Sequence, residues 1–309
     1  MNAPAPVGVI AHYALLERLD PSGPGDLFRA RDTHRGRTVV VRLLPRDLTP
    51  DAAARQALIE MAKGTMVLSH PNVTALFDFG EHEERVYLVF EFLTGRSLGA
   101  EMAGRPMNVR RAVEIAIQVA DAVADAHAAG FLHGGLSPET VIITAKGNAK
   151  IPAFELAVRT GFQAQDAGGS GRGVFARLVD YDSPEEGRGQ PPDDRSDVYS
   201  IGAILYEMLT TRRPSHRGAS APGAANAHVP KELDDVVLKA VAPNPDLRYL
   251  SVAAFASELR GLLPVLDARG VPDDEMFAEE PSAGAGGVFL MTAAILLAIG
   301  AVAWWLMRS

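Results

Sequence analysis

The feature that most constrains the fold is a change in the spacing of apolar residues part-way along the chain. Up to residue 108, β-rich apolar runs dominate: Thr38 to Pro45 (TVVVRLLP) and Arg85 to Leu93 (RVYLVFEFL) read as strands. One helical pattern, Asp51 to Leu68, stands between them. From Val109 onward the pattern turns helical. Arg110 to Gly130 is a long amphipathic helix that stops at a glycine, the residue type that tolerates a helix end. Ser196 to Thr210 (SDVYSIGAILYEMLT) is apolar on nearly every side, which predicts a helix buried in the middle of its domain, capped by Ser196 or Asp197.

The rest of the composition mainly excludes functions. A net charge of −8 leaves no electrostatic footprint for nucleic acid. With no cysteine there is no disulfide, thiolate metal site or cysteine nucleophile. The first residues, MNAPAPVGVIAHY, lack the basic segment and apolar run of a secretory signal. Residues 163–173 and 217–228 are rich in glycine or other small residues and read as flexible loops. Residues 266–287, acidic and then rich in Pro, Gly and Ala, read as a linker. Val288 to Met307 carries no charge over about 20 residues, the length that spans a bilayer core of roughly 30 Å, and has Trp304 and Trp305 near one end. A single C-terminal membrane anchor is expected there, with Ala294, Ala298 and Ala301 offering a small-residue face for helix pairing.

Five segments carry a family resemblance: Leu68 to Leu98, Leu132 to Thr144, Asp180 to Glu185, Asp194 to Thr210 and Asn244 to Leu259. In this order the chain, from Tyr13 to Leu263, resembles the eukaryotic-like serine/threonine protein kinases of bacteria. The resemblance implies an α+β, two-lobed protein-kinase-like fold. A small β-rich N-lobe would occupy 12–93 and a larger helical C-lobe 94–265, followed by the linker (266–287) and one transmembrane helix (288–307). It also implies a cytoplasmic soluble domain.

Active kinases rely on positioning and charge neutralisation, so activity requires each working part at its own position. In the family's glycine loop, Asp20 and Ser22 replace two glycines and only Gly25 matches. A carboxylate there repels phosphate, and a plain β-turn is the preferred reading. Arg42 stands for the strand lysine and would pair with Glu60, although its planar fork is no substitute for a compact ammonium. Val40 and Phe90 would narrow an adenine pocket. Where the family has H-R-D-x-K-P-x-N, this chain has His133 through Thr140 as HGGLSPET. Gly135 thus replaces the base, Ser137 the lysine and Thr140 a metal ligand; Ala153, before Phe154 and Glu155, replaces the main metal ligand. Loss of a positioned base costs ~10²–10⁴ in rate, and loss of an electrostatic stabiliser about 10²–10³. The phosphorylated-loop anchor is Gly134 and the docking threonine is Leu178, with Thr160 and Ser170 the main hydroxyls left in the loop. Glu60, His133, Glu185, Asp197 and Arg248 are read as structural residues, with Glu185 paired to Arg248 and Asp197 holding the catalytic-loop backbone.

The expectation is a membrane-tethered pseudokinase that acts by binding protein, either an active kinase or a second copy of itself. No metal is expected, no cofactor, and ATP with magnesium only as weakly held ligands. Gly25, Arg42, Glu91 and Leu93 are the positions a nucleotide would meet. One alternative is residual kinase chemistry, with Glu139 and Glu155 holding magnesium. Another is a nucleotide sensor that uses the backbone near Glu91 and Leu93.

Overall fold

Side chains that alternate between two faces build the first layer. The computed structural model of the protein describes residues 6–19, 25–46, 51–152 and 181–268. Strands β1 (Gly8–Ile10), β2 (Tyr13–Leu19), β3 (Asp26–Asp32), β4 (Arg37–Leu43), β6 (Leu76–His82) and β7 (Arg85–Glu91) form a six-stranded sheet in the order β1-β2-β3-β4-β7-β6. Every pairing in it is antiparallel. Val39 and Val41 pack on one face with Tyr13, Ala30 and Val89. The opposite face gathers Leu44, Leu88 and Phe90 with Val40 against Leu58 and Ala62 of helix α1 (Ala52–Thr65). Asp51 caps that helix by accepting from the Ala54 N–H at 2.7 Å.

A smaller sheet follows, with strand order β5-β10-β9-β8, from β5 (Val73–Thr74), β8 (Gly95–Ser97), β9 (Ile142–Thr144) and β10 (Ala149–Pro152). The rest is helical: α2 (Leu98–Met102), α3 (Val109–Ala128), α4 (Pro184–Gly187), α5 (Asp194–Thr210), α6 (Lys231–Ala240) and α7 (Val252–Ala268). Their core centres on α5, which is buried from Ser196 to Thr210 except at Glu207. Burial of side chains such as Leu205 and Phe255, both fully out of solvent, stabilises the fold by about 1.5–3 kcal/mol each. The lobe is thus helical where the apolar spacing is helical. Helix α3 ends before Gly130, whose φ is 86°.

Three expectations need correction. Helix α5 is capped by Asp193, not by Ser196 or Asp197; Ser196 sits at the third helical position and closes a capping box with Asp193. Residues 217–228 are pinned: Asn226 Nδ2 donates to Leu209 O at 2.9 Å and Gly223 N to Asp234 Oδ1 at 2.7 Å. Helix α7 runs to Ala268, past the boundary expected at 265. By contacts the chain divides into Met1–Val271 and Pro272–Ser309. Most of the expected linker and the apolar segment 288–307 lie outside the described residues, as do residues 163–173.

Candidate functional site

On β4, Val40 and Arg42 share one face, and their direct partners on β7 are Phe90 and Leu88. Arg42 is buried (5% exposed) and Phe90 nearly so (6%), so this wall is lined with bulk. Glu60 does not reach Arg42. It lies on the exposed side of α1 and accepts from Lys63 Nζ at 2.6 Å and from Gln56 Nε2 at 2.7 Å. The inward positions of that helix are Leu58 and Ala62, and two residues on from Leu58 is about 200° round the helix. Gly25 has a φ of 90°, and a Cβ there would stand 2.3 Å from Leu43 O. Its glycine is therefore required by the approach of β3 to the end of β4. Asp20 and Ser22 lie outside the described residues.

At the strand end, the Glu91 N–H is spent on Ala75 O at 3.0 Å, while its side chain accepts from Lys150 Nζ at 2.7 Å. The Leu93 backbone makes no hydrogen bond among the described residues.

The segment from Phe131 to Val141 is irregular backbone held from beneath by α5. Asp197 accepts from the backbone N–H of His133 at 2.8 Å and of Gly134 at 2.7 Å, and it lies 2.7 Å from His127 Nε2. Burial alone would raise the Asp197 carboxyl, but the His127 hydrogen bond, the nearby histidines and the Gly134 N–H outweigh it and hold it below the usual carboxylate range. For His127 burial works downward, and the bond and charge of Asp197, with Asp194 and Asp193, lift it above its ordinary value. The contact thus favours the charged form of each partner. Gly134 has a φ of 58°, the left-handed region that favours glycine.

Farther along, Gly135, Ser137 and Thr140 turn inward. Thr140 Oγ1 donates to Ser137 O and accepts from Ser137 N, both at 3.0 Å, so its hydroxyl is consumed within the turn. Ser137 Oγ is buried and has no hydrogen-bond partner among the described residues. These positions supply a hydroxyl or a bare backbone, with no carboxylate and no ammonium. Glu139 turns toward α2, its Oε1 2.7 Å from where a Cβ on Gly99 would stand. No group of three or more metal-ligating side chains converges among the described residues. Ala153, Phe154, Glu155, Thr160, Ser170 and Leu178 lie outside them.

On the far side of α5, Arg248 donates from its two terminal nitrogens to Glu185 at 2.6 and 2.7 Å, and Ser196 Oγ donates to the same carboxylate at 3.0 Å. The model of the protein kinase domain family matches residues 20–249. The chain belongs to the protein kinase domain family.

Serine/threonine-protein kinase pkn3 of Myxococcus xanthus is 30% identical over 272 residues, covering 81% of this chain and 50% of that protein. Serine/threonine-protein kinase PknB of Mycolicibacterium smegmatis is 33% identical over 267 residues, covering 80% of this chain and 42% of that protein. The chain spans half the length or less of these curated relatives. The crystal structure of the Mycobacterium tuberculosis PknI kinase domain aligns with a TM-score of 0.65 at 21% identity, over 82% of this chain and 97% of that one. That likeness concerns the fold.

In this kinase domain sequence reasoning missed three side chains. His127 completes the Asp197 anchor, Ser196 joins Glu185, and Lys150 ties the small sheet to Glu91. The one available signal was His127 itself, a histidine in the last turn of an otherwise apolar-faced helix.

Proposed function

We propose that this kinase-family chain does not transfer phosphoryl groups by the family's usual route, and that it regulates or scaffolds signalling by binding protein. One observation carries the reading. In the described part of the catalytic loop, Gly135, Ser137 and Thr140 offer no base, no cation and no anionic metal ligand, and the Thr140 hydroxyl is already engaged at both its donor and acceptor sides. Magnesium takes carboxylate and phosphate oxygens in an octahedral shell, and this donor set does not fit it. Without a cation, the charge of a triphosphate goes uncompensated, and the electrostatic part of catalysis fails. The intact Asp197, Glu185 and Arg248 contacts support a scaffold that still folds as a kinase.

The apolar stretch 288–307 supports membrane attachment, with the kinase-like domain on the cytoplasmic side. No helix among the described residues is long and apolar enough to cross a membrane. Attachment would concentrate a weak partner near the domain without any added contact.

Incubation of the full chain with labelled ATP and magnesium or manganese tests the catalytic half of the reading. The expected result is no incorporation into itself or a generic acceptor protein. Metal-dependent incorporation that disappears in Glu155→Ala would overturn it.

A further inference from the structure

Behind the hinge, an open cavity of about 510 Å³ is lined by the hinge residues Glu91 to Thr94, the loop at Pro71 and Asn72, Gln118 of α3, and the β9–β10 hairpin. Its size falls within the roughly 300–1,000 Å³ typical of ligand sites. Val40, Arg42, Phe90, Gly135, Ser137 and Thr140 take no part in it. Alternation along β7 also sends the Glu91 side chain to the face opposite Phe90.

Two amides in the wall are fixed by their own hydrogen bonds. Asn72 Nδ2 donates to Gln118 Oε1 at 3.1 Å and to Ala149 O at 2.6 Å, which uses both of its hydrogens. Gln118 Oε1 accepts a second bond from Ala149 N at 2.8 Å. This network orients both amides and leaves Asn72 Oδ1 as an acceptor and Gln118 Nε2 as a donor, neither engaged among the described residues. An acceptor and a donor in one lining complement the N–H and C=O of an extended peptide.

Charge narrows the choice of peptide. Lys150 is held by Glu91, whereas Lys146, on the exposed hairpin turn, has no ion pair among the described residues. Two ammonium groups against one carboxylate make the cavity locally positive on a chain of net charge −8. Screening beyond about 8 Å lets these near charges decide. Phe92 and Leu93 add apolar surface for a neighbouring side chain.

We infer that this cavity is a docking site for an extended, acidic peptide segment of a protein partner, read by Asn72 and Gln118 through its backbone and by Lys146 through a carboxylate. The inference rests on the protein-binding function proposed above and says where that binding occurs.

The test is a fluorescence-anisotropy titration of the full chain, in mild detergent, against a fluorescein-labelled Glu-Phe-Glu-Leu-Glu-Gly peptide. Saturable sub-millimolar binding is expected, weakened about tenfold or more by Lys146→Glu and by replacing the peptide glutamates with glutamines. Lys146 lies on an exposed turn, so its substitution leaves the fold intact. Hydrogen exchange should slow at Phe92 to Thr94 and at Thr144 to Lys150 when the peptide is bound. Absence of saturation, or equal binding by the Lys146→Glu chain or the glutamine peptide, would overturn the docking site. Because the titration is blind to phosphoryl transfer, activity with labelled ATP would refute the inert reading and leave this result standing.

Discussion

With its side chain wholly out of solvent, Arg248 is bound to Glu185 through two hydrogen bonds, of 2.6 and 2.7 Å. Removing one partner strands a buried charge, so Arg248→Ala should cost about 3–5 kcal/mol in urea unfolding. Burial pushes the Glu185 carboxyl up, but the Arg248 bond and its other hydrogen bonds bring it down to about 2 from 4.5. A depressed carboxylate stabilises the fold above its unfolded value, so this contribution should fade as pH falls from 4.5 through about 2. His127 has the opposite sign. Its raised value gives stability that is complete below 6.5 and lost as pH rises through the folded value. His127→Gln should flatten that alkaline slope in unfolding curves measured from pH 6 upward. A slope unchanged in the variant would remove His127 as its source. The Glu185–Arg248 and Asp197 contacts join residues that the motifs already singled out. His127 carried no motif, and its role depends on which carboxylate the fold brings to it.

Elements were more legible than the contacts between them. The strands at Arg37–Leu43 and Arg85–Glu91 and the helices Val109–Ala128 and Asp194–Thr210 follow from apolar spacing, because each buries one face or all of itself. The direction of one side chain on a helix was harder to read. Glu60 was expected to meet Arg42, but α1 seats Leu58 and Ala62 inward, and a residue midway between them faces solvent. The Asp193 cap was missed because Ser196 is also a capping type, and only backbone geometry distinguishes the two. At the start of β3, Gly25 combines a φ of 90° with a backbone oxygen 2.3 Å from any added Cβ. Gly25→Ala should cost roughly 1–3 kcal/mol or more, seen as a lowered Tm in the absence of any nucleotide. Unchanged stability would return Gly25 to the phosphate-loop reading. At Gly134, restoring the family's arginine would force a side chain into a φ of 58°, at a cost of about 1–2 kcal/mol. One backbone conformation therefore opposes simple reversion.

At the scale of the whole molecule, the order of five motifs made the two-lobed architecture legible. The cavity behind the hinge was not, since it draws on four segments scattered between Pro71 and Lys150. The proposed membrane attachment belongs to this scale as well. Deleting residues 288–309 should move the chain from the membrane fraction to the soluble one, and retention at the membrane would place the anchor elsewhere. The central claim is electrostatic: the cleft cannot hold a triphosphate through a divalent cation. A ligand selective for the native state must raise its stability, so the direct measurement is Tm against ATP concentration, with and without magnesium. The expected result is a Tm that magnesium does not change at any ATP concentration. A magnesium-dependent rise that saturates with ATP would contradict the claim.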